Sequence, residues 1–185
     1  GFAYAVLSGQ TTGEVLLSAE RRKTKWEVIN ESNRGLKNMP IEADIFQLNI
    51  NHGQNVKDGT YAYVVYAGND DPQKAFGNMP LKVLENTTDI QAVSWGENYI
   101  GASFYNPAKT LKTNNGEISV SAPCALLLEK IENQWRLSVT DAEMNKNLKN
   151  IIVRTTLPLK GDNFKTEGKW KVITVPVPQG KWCGK

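Results

Sequence analysis

The stretch Phe46-Gln47-Leu48-Asn49-Ile50-Asn51 sets apolar and polar side chains in strict alternation, and Trp135-Arg136-Leu137-Ser138-Val139-Thr140 repeats the pattern far downstream. Successive side chains of an extended chain point to opposite faces, so a period of two marks a strand with one face in a core and the other in water. Tyr61-Ala62-Tyr63-Val64-Val65-Tyr66 is apolar throughout, the pattern of a strand covered on both sides. Further strands are expected over residues 2–8, 14–20, 24–30, 81–85, 90–95, 99–105, 117–120, 125–131, 150–156 and 169–175. Turn signals punctuate them: Ser8-Gly9, Asn33-Arg34-Gly35, Asp58-Gly59, Asn114-Asn115-Gly116 and Lys160-Gly161-Asp162. Only Asp141 to Leu148, with Asp141 as a cap, offers a helix, and a simple turn serves there equally well.

Many short strands at close spacing predict an all-β fold, with antiparallel sheets packed as β-sandwiches. Residues 67–80 are rich in Gly, Pro, Asn and Asp, the composition of a linker. The chain is therefore divided into two sandwich-like parts, residues 1–78 and 79–185.

At 185 residues the chain can bury a proper core, and a hydrophobic content of 40% with 22% charged residues is ordinary for a globular protein. No apolar run is long enough to span a bilayer as a helix, and no membrane partner is expected. Gly1-Phe2-Ala3-Tyr4 has neither an initiator Met nor the order of a signal peptide, and reads as the start of a piece of a longer polypeptide. The net charge of +3 is unevenly spread: residues 144–185 hold nine Lys/Arg against Asp162 and Glu167, a balance of +7. Such a segment either attracts a polyanion or merely solvates a surface. It carries no nucleic-acid motif, so no nucleic-acid partner is expected.

His52 is the only histidine, in Asn51-His52-Gly53 at a strand end. Imidazole is the usual general base near neutral pH, but no nucleophile elbow or cysteine signature accompanies it. A structural turn, with Gly53 at positive φ, is the expected role. Cys124 lies in an apolar run and is expected buried; Cys183 sits in a Gly-rich tail, and whether the two pair is open. Asn69-Asp70-Asp71 lacks the ordered spacing of a calcium loop and reads as a turn. Asn30-Glu31-Ser32 and Asn86-Thr87-Thr88 fit the glycosylation acceptor pattern, which recurs by chance. No pair of carboxylates stands out for glycoside hydrolysis. No catalytic residue, metal ligand or cofactor site is therefore assigned.

Of the five tryptophans, Trp26, Trp135 and Trp170 have apolar residues at i+2 and are expected in the core. Trp95, Tyr99 and Tyr105 flank or follow the turn Gly96-Glu97-Asn98 and are candidate carbohydrate contacts, as are Lys169 and Lys171 of the basic segment. For all five, packing or simple solvation is the competing reading.

Trp26-Glu27-Val28-Ile29-Asn30, then residues 46–53 and 61–65, resemble the closing part of the central domain of polysaccharide lyase family 8. Val83-Leu84-Glu85-Asn86-Thr87, Gln91-Ala92-Val93 and Leu137-Ser138-Val139-Thr140-Asp141 resemble that family's C-terminal domain. The family includes chondroitin, hyaluronan and xanthan lyases. The resemblance implies a parent with an N-terminal α/α toroid, an antiparallel β-supersandwich and a smaller closing sandwich. Residues 1–78 then hold the last supersandwich strands and residues 79–185 the small sandwich. The family's catalytic Asn, His, Tyr and Arg lie in the toroid, so no catalytic position carries over to this chain. The toroid is the implied partner, acidic polysaccharide a further one, and secretion or a periplasmic location the implied destination. Two departures, Ala67-Gly68 where the family commonly has Pro and Asp141-Ala142 where it has Asp-Pro, bear on the parent's substrate rather than the fold. A carbohydrate-binding module and a structural or protein-interaction domain stay open as alternatives.

Overall fold

The structure is a computed structural model and describes residues 1–30, 39–132, 134–159 and 164–182. It is all-β and antiparallel. Two compact units divide between Asn69 and Asp70. That point lies at the start of the turn-rich stretch whose end, near residue 79, marked the sequence-based division. The difference arises because Pro72–Gly77 folds as a short helix, α2, grouped with the second unit. Asp71 caps it, its carboxylate accepting the Gln73 N–H at 3.0 Å, so this aspartate ends a loop rather than facing a cation.

The first unit consists of two ribbons. Strands β1 (Phe2–Val6) and β4 (Tyr63–Ala67) form one. Strands β2 (Glu14–Lys25) and β3 (Pro40–Asn51) form the other, a twelve-residue ladder running from Glu14↔Asn51 to Lys25↔Pro40. The single turn α1 (Trp26–Ile29) replaces the end of the strand expected over 24–30. It closes through the Asn30 N–H to the Trp26 carbonyl at 2.8 Å, so Trp26 is half-buried on a helical turn rather than a core strand residue. Strand β4 is not covered on both sides either. Among the described residues it pairs only with β1, and Tyr63 and Val65 are exposed while Val64 and Tyr66 are half-buried. No described residue of 1–69 is fully buried. The Asn33-Arg34-Gly35 turn lies outside the described residues.

The second unit is a closed sandwich. One sheet runs β11 (Gln134–Thr140), β10 (Cys124–Ile131), β7 (Tyr99–Phe104), β6 (Ile90–Trp95), β5 (Leu81–Asn86). The other runs β13 (Lys165–Glu167), β14 (Trp170–Pro176), β12 (Asn150–Thr155), β9 (Gly116–Val120), β8 (Thr110–Thr113). Ile90, Phe104, Leu126 and Leu128 of the first sheet and Leu111, Ile118, Ile151 and Val153 of the second make the core, with Trp135 packed against it. Strand β8 was not expected from the sequence, since Thr110-Leu111-Lys112-Thr113 has one apolar residue to declare a face. Residues 141–148 form turns rather than a helix. The Asp141 carboxylate takes the N–H of Glu143 at 3.0 Å and of Asn145 at 2.6 Å, satisfying donors that a helix would leave to its first turn. Cys124 is buried with a free thiol, and Cys183 lies outside the described residues, as does the Lys160-Gly161-Asp162 turn.

Candidate functional site

Strand parity decides where each candidate side chain goes. In β6, Ile90, Ala92 and Ser94 are buried while Gln91, Val93 and Trp95 face out; in β7, Ile100, Ala102 and Phe104 are buried and Tyr99 faces out. Trp95 and Tyr99 are registered partners at the closed end of the β6–β7 hairpin, 45% and 41% exposed. Gly96 at φ +58° allows that hairpin to turn, and its N–H donates to the Pro80 carbonyl at 2.8 Å. Tyr105, 55% exposed, lies just beyond the far end of β7 and donates its hydroxyl to Gln91 Oε1 at 3.3 Å. Six residues of extended chain, roughly 20 Å, separate it from Tyr99. The three aromatics thus belong to one outward strand face but form no single cluster. Between them lies an apolar floor of Val93, Gly101 and the exposed Leu127.

The two lysines are engaged within the chain. Lys169 Nζ lies 2.8 Å from Glu117 Oε2 and 5.0 Å from the centre of the Trp170 ring. Its ammonium holds the Glu117 carboxyl below the usual carboxylate range by hydrogen bonding first and by charge second. Lys171 pairs across the sheet with the buried Thr155 and donates to the carbonyls of Leu157 and Leu159 at 3.0 and 2.9 Å. Arg154 pairs with Glu167 at 3.4 Å. Three of the nine cations of the basic segment, Arg154, Lys169 and Lys171, are thus engaged within the chain.

His52 Nδ1 lies 3.4 Å from Thr12 Oγ1, and its ring is tilted at 6.4 Å from that of Tyr61. Thr12 itself exchanges contacts with the backbone of Thr60, so the imidazole helps tie loop to loop. Among the described residues no group of His, Cys, Asp and Glu is placed to hold a metal ion.

A second place lies at the mouth of the small sandwich. Lys82 of β5 and Ser94 of β6 are registered partners on one face there, Ser94 nearly buried and Lys82 exposed. They line a cavity of about 260 Å³ with Pro80, Leu84, Glu97, Ile100 and the Asn114-Asn115 turn. The signal was available: Ser94 takes an inward slot in Ile90-Gln91-Ala92-Val93-Ser94-Trp95, where alternation calls for an apolar residue.

Comparison with known proteins agrees along the chain. The family model described as polysaccharide lyase family 8, super-sandwich domain, matches residues 1–75. That described as polysaccharide lyase family 8, C-terminal beta-sandwich domain, matches residues 82–149. The chondroitinase-AC of Pedobacter heparinus is 29% identical over 171 residues, covering 91% of this chain and 23% of that protein. A solved chondroitinase AC lyase, studied in enzyme–oligosaccharide complexes, superposes with a TM-score of 0.76 at 23% identity, over 98% of this chain and 28% of its own. A Paenibacillus xanthan lyase gives a TM-score of 0.66 at 17% identity, over 87% of this chain and 16% of its own. At such identities the structural likeness speaks for the fold alone. The chain spans about a quarter of the chondroitinase relative's length.

Proposed function

Since this chain belongs to polysaccharide lyase family 8 and carries two of its β-domains in tandem, we propose that it is the non-catalytic β-scaffold of a longer lyase. The parent acts by β-elimination on a uronic-acid polysaccharide of the chondroitin or hyaluronan type. In that reaction a base removes the proton at C5 of the uronic acid, the 4-linked bond breaks, and an unsaturated sugar remains. Base, acid and carboxylate neutralisation must converge in one cleft. The chain's only histidine is turned instead to Thr12 and Tyr61. Its role is to support the cleft and the arrangement of domains, within a secreted enzyme whose catalytic groups lie in an N-terminal toroid.

The observation that carries this reading is the contrast between the units. The second closes its own core, whereas the first buries no described residue fully. Its ribbons leave an apolar hollow of about 490 Å³ lined by Phe2, Tyr4, Val15, Leu17, Phe46 and Leu48. An apolar surface of that kind marks an interaction face, and further strands of the same domain are its natural cover. A second reading, carbohydrate contact, draws on the outward Trp95, Tyr99 and Tyr105, since exposed aromatic faces suit stacking on sugars.

The test has two arms. The purified chain, incubated with chondroitin, hyaluronan or xanthan, is expected to produce no ultraviolet absorbance of unsaturated uronide. The separately expressed preceding polypeptide is expected to bind the chain and protect the amides of β1 to β3 from exchange. Product formed by the chain alone and lost in His52→Ala would overturn the scaffold role.

A further inference from the structure

The cavity at the mouth of the second unit brings together groups of mixed chemistry. Its walls come from strand β5, the β6–β7 turn and the β8–β9 turn, all of the small sandwich. The floor is apolar: Pro80, Leu84 and Ile100. The rim is polar and of both electrical signs, with the Lys82 ammonium, the Glu97 carboxylate, the Ser94 hydroxyl and the amides of Asn114 and Asn115. Ser94 is only 8% exposed. No buried side-chain nitrogen or oxygen among the described residues lacks a partner. Ser94 opens on the cavity, and Lys82 and Glu97 are exposed at its edge and, among the described residues, enter no ion pair. With the cavity empty these groups are met by water, and they are available to a ligand whose own donors and acceptors replace it.

The site is also held in shape. The Gly96 N–H donates to the Pro80 carbonyl at 2.8 Å and fixes the turn that carries Glu97. Thr113 Oγ1 accepts the Asn115 N–H at 3.2 Å and donates to the Gly116 carbonyl at 2.9 Å, fixing the opposite wall. A preorganised rim lowers the cost of ordering side chains on binding.

The chemistry of the rim selects the ligand. An anion recognised by charge would meet Glu97, and a metal cation would meet Lys82. A wholly apolar molecule would use none of the polar groups and would displace water from the Ser94 hydroxyl without replacing it. A sugar ring offers hydroxyls that each donate and accept, together with a C–H face for the apolar floor. A volume of about 260 Å³ falls below the 300–1,000 Å³ typical of drug-sized ligands, and suits one ring. We propose that Lys82, Ser94, Glu97, Asn114 and Asn115 form a binding site for a single pyranose residue of a saccharide chain. The preference for a saccharide over a zwitterionic amino acid, which would also satisfy both charges, rests on the proposed lyase parent; the cavity does not.

The test is amide chemical-shift mapping of the isotope-labelled 185-residue chain with four probes: a chondroitin tetrasaccharide, its sulphated form, a neutral glucan tetrasaccharide and glycine. The expected result is saturable shifts with a saccharide at Gly96, Glu97, Asn114 and Asn115. Lys82→Met and Glu97→Gln should each weaken binding at least tenfold with the melting temperature unchanged, and Ser94→Ala less so. Shifts with the glucan but not with chondroitin would sustain the cavity as a saccharide site while counting against a uronide-cleaving parent. No shifts with any saccharide, shifts confined to the Trp95 and Tyr99 face, or saturation by glycine alone would overturn the proposal.

Discussion

Asp141 is the residue whose removal should most clearly expose how the second unit is held together. It is 1% exposed and ends β11 at the turn toward β12. Its carboxylate accepts two backbone N–H groups, from Glu143 at 3.0 Å and Asn145 at 2.6 Å. A hydrogen bond to a charged group contributes about 1.5–3 kcal/mol net. Glu143 and Asn145 are themselves exposed, so water can replace part of what is lost. The low end therefore applies, and Asp141→Ala should cost about 3 kcal/mol. Asp141→Asn keeps one acceptor oxygen but turns donors toward donors, and should cost about half as much. At about 4 °C per kcal/mol for a unit of this size, the transition should fall by roughly 12 °C and 6 °C. Differential scanning calorimetry reads both in the transition of the second unit. Asp141→Ala within about 1 kcal/mol of the parent chain would refute the idea that this carboxylate organises the turn.

Other outcomes follow from the same geometry. His52→Ala should cost on the order of 1 kcal/mol by loss of the Thr12 contact, measured by urea denaturation, with saccharide binding unchanged. Burial, and secondarily the Asp141 charge, pushes the Cys124 thiol up to about 11. Its folded value then exceeds the ordinary value of about 8.5, so the folded state holds the proton more tightly. This contribution to stability is complete below the ordinary value and is lost as pH rises through 11. Denaturation midpoints at mildly and strongly alkaline pH should therefore converge toward those of Cys124→Ala as pH rises; parallel curves would sink the assignment. Glu117→Gln should release Lys169 and raise the salt concentration at which the chain leaves an immobilised chondroitin sulphate column. Unchanged elution would show that this part of the basic segment does not meet acidic polysaccharide.

Most strands were legible because each declares a face. Ile90-Gln91-Ala92-Val93 and Trp135-Arg136-Leu137-Ser138 place apolar residues at every second position, and both are strands with that parity. The misses share a cause, which is that a partner rather than the local pattern decides the outcome. Thr110–Thr113 has no face of its own and becomes β8 only because β9 pairs with it through Leu111↔Ile118. Trp26–Ile29 is apolar enough for a strand, yet it curls into a turn where its ladder with residues 40–51 ends. The charge balance is likewise a matter of partners. Residues 144–185 hold nine cations, and one of them, Lys169, meets Glu117, which the sequence places far upstream. Lys171 likewise turns to the carbonyls of Leu157 and Leu159. The cavity was hidden for the converse reason. Lys82 and Ser94 are each ordinary in sequence, and only the register of β5 on β6 makes them neighbours. A polar residue in an inward slot is a weak signal alone. Two polar residues in register at the open end of a sandwich, backed by the two turns that carry Glu97 and Asn115, form a site that no single strand could announce.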